Sequence, residues 1–402
     1  MTRQRIFGIA ANVFFLGLVS LLNDMSSEMI FTLLPLFLAN VLGAAPTIIG
    51  LVEGVAESTA AFLRIGSGWL SDKLGRRKLL AFSGYALSTA MKPLMYVATA
   101  WGLVLGIRFA DRFGKGVRSA PRDALIAHSL DSNERGRGFG FHRAMDTAGA
   151  MLGIAIAALI IFLLQQNSLL LERATYQMLV VIGIVPAVLA LLMFIFVREK
   201  RRGSPSSPGP TSPAPAAGPL KAGLGRRYWT FIGIVFLFTL GNSSDAFLVL
   251  RAQDLGNTTL TIMLMLILFN AVYAGLSVPF GVLSDRLGRR GVIIVGWLVF
   301  AAVRFGFTAA SAHWHVWLLF TAWGLYYALT EGVARAFIAD IVPSQHRGTA
   351  YGIYYAALGI GLLPASVIAG WLWQTFTPAA PFAFSSALAV LSVVGLAVFF
   401  RK

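Results

Sequence analysis

Gly68-Trp69-Leu70-Ser71-Asp72-Lys73-Leu74-Gly75-Arg76-Arg77 and Gly281-Val282-Leu283-Ser284-Asp285-Arg286-Leu287-Gly288-Arg289-Arg290 differ only at their second and sixth positions, 213 residues apart. At the same offset Arg122 falls on Arg335, and at 212 residues Arg135-Gly136 falls on Arg347-Gly348. A register shared over most of each half is the signature of an internal duplication. The chain therefore reads as two equivalent halves.

The 402 residues are 57% hydrophobic and only 12% charged, with a mean hydropathy of +0.74. Soluble domains carry roughly twice that share of charge. A bilayer core demands about 20 mostly apolar residues per helix, and such runs fill the chain. Spans are expected near 7–40, 47–71, 79–99, 101–127, 140–164, 176–197, 229–252, 258–284, 291–310, 314–341, 350–373 and 379–400. The expected fold is all-α, with 12 transmembrane helices in two pseudo-symmetric six-helix bundles.

The net charge of +16 would suit nucleic acid, but the basic residues follow a membrane pattern instead. Every second connection is basic, as at Lys73 to Lys78, Arg198 to Arg202 and Arg286 to Arg290, while those around Ala44, Thr99, Ser311 and Thr377 carry almost no Lys or Arg. This bias places both termini in the cytoplasm. No nucleic-acid partner is expected. The absence of cysteine excludes disulfides, thiolate catalysis and Cys-based metal sites. The apolar run after Met1-Thr2-Arg3-Gln4-Arg5 continues past Leu38, so it is read as the first span. Residues 199–227 hold a Ser/Pro/Ala stretch that cannot bury enough apolar surface to fold. They are expected to be a flexible cytoplasmic linker between an N-terminal bundle, 1–198, and a C-terminal bundle, 228–402.

The doubled loop resembles the signature of the major facilitator superfamily, G-x-x-x-D-[RK]-x-G-[RK]-[RK]. Arg112-Phe113-Gly114-Lys115-Gly116-Val117-Arg118-Ser119-Ala120 is similar to the R-x-x-x-G-x-x-x-A pattern of that family's fourth span. The resemblance covers essentially the whole chain. It implies a proton-coupled carrier of the drug or metabolite type, working by alternating access. It also implies that the first, fourth, seventh and tenth helices surround the cavity. Gly68, Asp72, Arg76, Gly281, Asp285 and Arg289 become a conformational latch that holds the outward-open state; simple topology anchoring by positive charge is the alternative. The fifth span departs from the drug-antiporter motif: Gly149-Ala150-Met151-Leu152-Gly153 lacks the following Gly-Pro.

Charge inside spans marks the candidate site, because an ionised carboxylate in hydrocarbon costs several kcal/mol unless paired, hydrated or protonated. Asp24 and Glu28 lie one turn apart on one face of the first span and are the proton-coupling candidates, Asp24 ahead of Glu28. Arg108, Asp111, Arg112, Lys115, Arg118 and Arg122 fall within an arc of about 120° on the fourth. Arg108 and Arg112 either bind an anionic substrate through the guanidinium fork or neutralise Asp24 and Glu28. Glu53, Glu57 and Arg64 share a face of the second span and are expected in an intramembrane network. In the second half Asp245, Tyr327 and Glu331 are the candidates for substrate contact or charge pairing, beside Trp323 and Arg335. Lys92 and Arg304 occupy near-equivalent sites in the third and ninth spans with no assigned role. His313 and His315 lack a third metal ligand and read as interfacial anchors.

The expected function is movement of a small organic solute across the inner membrane, as proton-coupled efflux. The alternatives are an importer or exchanger of an anionic metabolite, or a lipid-handling flippase. No nucleophile elbow, H-E-x-x-H or phosphate loop argues for an enzyme. The expected partners are lipid, substrate and protons, with a monomeric chain and neither cofactor nor metal.

Overall fold

The computed structural model describes residues 5–7, 9–74, 76–130, 134–165, 168–199, 224–343 and 346–400. The Gly68 and Asp72 side-chain positions and linker residues 200–223 lie outside the described residues.

The chain is a helical bundle. A short ribbon pairs Arg5–Ile6 with Ile9–Ala10 and leads into α1, Ala11–Phe31, which continues through Leu34–Leu36 and a π-helical turn at Phe37–Val41. Then come α2, Pro46–Leu74, and α3, Arg77–Met91, which ends in the 3-10 turn Lys92–Met95. The first half closes with α4, Trp101–His128, α5, Arg135–Gln165, and α6, Arg173–Met193. In the second half α7 is broken into Gly225–Gly241 and Ala246–Asp254. It is followed by α8, Thr259–Leu287, α9, Arg289–Ala309, α10, His313–Ile341, α11, Arg347–Thr375, and α12, Ala380–Phe399.

Among the described residues, nine of these helices are long and apolar enough to cross a membrane. The expected count of twelve adds α3, α4 and α10. α3 has only 15 residues before its 3-10 turn. α4 carries Arg108, Asp111, Arg112 and Lys115 in its length. α10 is rich in His, Trp and Tyr. Such segments survive in a bilayer only where their polar face is enclosed by protein or water.

The halves repeat in packing as well as in sequence. α1 packs on α5 and α6, as α7 packs on α11 and α12; α4 packs on α2 and α3, as α10 packs on α8 and α9. Two seams join the halves, α2 with α11 and α5 with α8. Exchanging the halves turns one seam into the other, as a pseudo-two-fold axis requires.

The α2–α11 seam is tight on the side away from the doubled loop motif. There Thr47 Oγ1 donates to Gln374 Oε1 at 2.8 Å and Ser58 Oγ donates to Gly359 O at 2.6 Å. Small residues permit this approach. A Cβ on Gly50 would collide with the Ser366 carbonyl oxygen, and one on Gly54 would lie 3.0 Å from Leu363 Cα. On the motif side the same helices part: a Cβ on Gly66 or Gly352 would meet nothing within 4 Å, and the same holds for Gly140 on α5 and Gly275 on α8. The cavity between the halves is thus sealed on the far side and splayed on the motif side.

Gly50→Leu should force α2 from α11 and cost about 1–3 kcal/mol. Thermal unfolding of the detergent-purified variant would show this as a lowered midpoint, whereas Gly66→Leu should leave the midpoint near wild type.

Candidate solute cavity

Between the halves lies a cavity of about 480 Å³, within the range of roughly 300–1,000 Å³ usual for small-molecule sites. Residues of α1, α2, α4, α5, α7, α8, α10 and α11 line it. The two halves build opposite walls.

The N-terminal wall is ionic. Arg108, 2% exposed, donates from Nη2 to Glu53 Oε2 at 2.8 Å, and its Nη1 lies 3.9 Å from Asp111. Arg112 Nη2 lies 2.9 Å from Glu57 Oε1. Ser88 donates to Asp111 from α3, and the Arg108 guanidinium stacks on the Phe31 ring with 4.5 Å to the centroid. The Arg108–Glu53 pair is held because separating either partner would leave the other buried and uncompensated.

Glu28 differs. Its carboxylate lines the cavity and accepts a hydrogen bond from Thr32 Oγ1 at 2.6 Å, one turn along α1. Among the described residues no basic side chain lies within 4.0 Å of it. Asp24, one turn earlier, accepts from Asn23 Nδ2 at 3.1 Å and is not part of the cavity lining.

The C-terminal wall is aromatic. Phe269 stacks on Trp323 with centroids 4.0 Å apart, and Tyr327 meets both edge-on at 5.5 Å. Trp323 is buried, and among the described residues its Nε1 has no hydrogen-bond partner. Tyr327 donates to Asp245 Oδ2 at 3.0 Å, and Arg304 lies 4.0 Å from Asp245 Oδ1. Asp245 stands where α7 is broken, so the residues Asn242 to Asp245 turn backbone and side-chain polar groups into the cavity. Irregular backbone at this depth is tolerated because it faces an enclosed wet space.

Glu28, Arg108, Arg112, Asp245 and Tyr327 therefore come together around one cavity. The two arginines neutralise Glu53 and Glu57 of α2, not Asp24 and Glu28 of α1. Glu331 lies at the splayed end: Tyr273 donates to it, Arg335 lies 3.6 Å away, and Arg143 reaches it across the halves at 3.6 Å. With Arg143 62% exposed, that cross-half pair is weak. In the second copy of the loop motif Arg289 pairs with Asp285 at 3.3 Å and with Asp340 at 2.8 Å. In the first copy Arg76 is exposed, and Glu199 caps α3 by accepting from the Arg77 and Lys78 backbone N–H groups at 2.8 and 3.1 Å. His313 and His315 engage backbone, the first beside Leu255 O at 3.2 Å and the second accepting from the Ser311 and Ala312 N–H groups.

The sequence reading missed the break in α7 and the kinship of its residues with α1. Ser26-Ser27-Glu28 and Ser243-Ser244-Asp245 repeat at an offset of 217, not 213, so a search in the main register passes over them. It also missed buried His142, whose Nε2 lies 3.0 Å from Ser20 Oγ and whose Nδ1 lies 3.5 Å from Asp146. A single histidine on α5 gave no pattern to find.

The fold has counterparts among known proteins. The sequence profile of the Major Facilitator Superfamily matches residues 16–250 and 230–402. The chain belongs to the major facilitator superfamily. An uncharacterized MFS-type transporter of Methanocaldococcus jannaschii is 36% identical over 395 residues, covering 96% of this chain and 94% of that one. An uncharacterized protein of Mycobacterium tuberculosis is 29% identical over 373 residues, covering 89% and 85%. A crystal structure of a mutant of the nucleoside transporter NupG superposes with a TM-score of 0.80 at 14% identity, covering 97% of this chain and all of that one. This major facilitator protein is thus a multi-pass membrane transporter of the secondary type.

Arg108→Ala, which strands Glu53, should cost about 3–5 kcal/mol of stability. Arg108→Met combined with Glu53→Met should recover most of it, read as unfolding midpoints in a double-mutant cycle.

Proposed function

We infer that this protein moves a small cationic organic solute out of the cell by alternating access, in exchange for protons. The observation that carries the reading is the charge balance of the cavity. Arg108 and Arg112 are matched by Glu53 and Glu57, Asp245 by Arg304, and Glu28 is left as the carboxylate without a basic partner among the described residues. Phe269, Trp323 and Tyr327 line the same cavity. A carboxylate facing aromatic rings suits an ammonium group carried on an apolar or aromatic body. An anionic metabolite fits less well, because both arginines already hold carboxylates.

Alternating access is supported by the seams. The halves, 1–198 and 228–402 with the linker 199–227 between them, rock about the cavity. α2 and α11 are in contact from Pro46 with Gly370 to Ala61 with Gly359, and their next partners in register, Gly66 and Gly352, stand open. Closing the motif side brings these two glycines together while the far side parts. The charge bias of the loops sets the protein in the inner membrane with the motif side and both termini in the cytoplasm. One chain holds both walls of the cavity, so a monomer is sufficient.

Two measurements test this. Glu28→Gln should weaken binding of benzyltrimethylammonium at least tenfold, about 1.4 kcal/mol, in a ligand-dependent thermal shift; unchanged affinity would remove Glu28 from recognition. With no native cysteine in the chain, Gly66→Cys with Gly352→Cys gives a clean cross-link. A disulfide needs Cα atoms within about 7 Å, so it should form in membranes during turnover and arrest transport. Failure to cross-link while transport continues would overturn closure at this seam.

A further inference from the structure

Lys92 begins the 3-10 turn at the end of α3 and is fully buried. Its ammonium donates to Ser26 Oγ at 2.8 Å and to the Asn23 carbonyl at 3.4 Å. Both partners are neutral. The charged groups that face it are Asp24 and Glu28 from α1 and Asp111 and Arg118 from α4. Arg173 of α6, on the remaining side, donates to the Ala98 carbonyl. Among the described residues no carboxylate lies within 4.0 Å of the Lys92 nitrogen. A buried charge without an ion pair is costly. A lysine, unlike an arginine, escapes that cost by releasing its proton.

The second half holds the matching position, 212 residues on, with a different residue. Arg304 is also fully buried. It donates to Asn242 Oδ1 at 3.4 Å and to the Ser243 carbonyl at 3.5 Å, lies 4.0 Å from Asp245, and sits over the rings of Phe300 and Phe382. Its oxygen partners are acceptors, which suit a group that donates in every state. At Lys92 the nearest partner is a hydroxyl. Ser26 accepts from an ammonium and donates to an amine, so the site is satisfied whether or not Lys92 carries its extra proton. Each cation therefore grips a Ser-Ser-acid segment whose acid lines the cavity. One grip is permanent and the other is releasable.

We propose that Lys92 is the group whose proton is exchanged for the substrate. Ser26, which it holds, lies two residues before Glu28 on α1. A cation seated at Glu28 and a proton on Lys92 draw on the same acids of α1, Glu28 and Asp24, so each disfavours the other. When the cation binds, one N–H bond of the ammonium breaks, the proton passes to water, and the freed lone pair takes up the Ser26 O–H. When the cation leaves, water on the opposite side returns a proton to the amine. No electron changes hands. This mutual exclusion is what an antiporter requires, and it rests on the cationic-solute reading above.

The test uses benzyltrimethylammonium, a permanent cation with no proton of its own, added to the purified full chain in weak buffer with a pH-indicating dye. Wild type should release about one proton per cation bound at a pH where Lys92 is charged in the free protein, the stoichiometry being read by titrating from pH 6 to pH 9. Lys92→Met and Lys92→Arg should still bind the probe by thermal shift yet release less than about a tenth as much, since neither has a proton to give in this range. Lys92→Arg keeps the cation and serves if Lys92→Met does not fold. Undiminished release from either binding variant overturns the proposal, as does binding by wild type without release. Absence of any binding by wild type sinks the cationic-solute reading, and this proposal with it.

Discussion

A charge sunk between apolar helices must find its opposite within a few ångströms, and that constraint organises this protein. Arg108 with Glu53 and Arg112 with Glu57 tie α4 to α2, and Arg304 with Asp245 ties α9 to the break in α7. These pairs fix how the helices of each half stand around the cavity. They also leave a remainder: once the pairs are drawn, Glu28 faces the cavity with a hydroxyl for company. The chemistry open to the cavity follows from that remainder.

The pairs lie within halves, and the contacts between halves are of another kind. Across the α2–α11 seam the chain uses glycine, alanine and serine, with backbones close enough that a Cβ at Gly50 would strike a carbonyl. Such contacts are gained or lost over a small rotation without stranding a charge. Among the described residues the one ion pair that crosses, Arg143 with Glu331, is exposed and long. A seam of small uncharged residues such as α2–α11 can open or close without spending the energy of an ion pair. The duplicated sequence makes both seams from the same two parts, so opening one side and closing the other are related motions.

The duplication is not carried through to the cavity. Lys92 and Arg304 occupy one position in the repeat and hold the related segments Ser26-Ser27-Glu28 and Ser243-Ser244-Asp245, but the surrounding walls have diverged into an ionic half and an aromatic half. A scaffold preserved by packing and a site altered by substitution are separable, since the seams depend on small residues at fixed spacing and the walls on which side chains project inward.

Composition, the alternation of basic loops and the doubled Gly-x-x-x-Asp motif were enough to determine the helical membrane fold and the boundaries of most helices, because hydrophobic length and loop charge are local properties that a bilayer reads directly. The acids and arginines of the first, second and fourth spans stood out for the same reason, since charge at that depth is costly wherever it points, but Asp24, ranked ahead of Glu28, is not part of the cavity lining. Which acid meets which arginine was not legible. Helical periodicity places Arg108, Glu53 and Glu28 on faces, but only the packing of α1, α2 and α4 sets the few ångströms that pair the first two and leave the third open. The break at Asn242 to Asp245 and the grip of Lys92 on Ser26 likewise belong to tertiary structure, since both depend on a neighbouring helix that satisfies polar groups the local sequence leaves exposed.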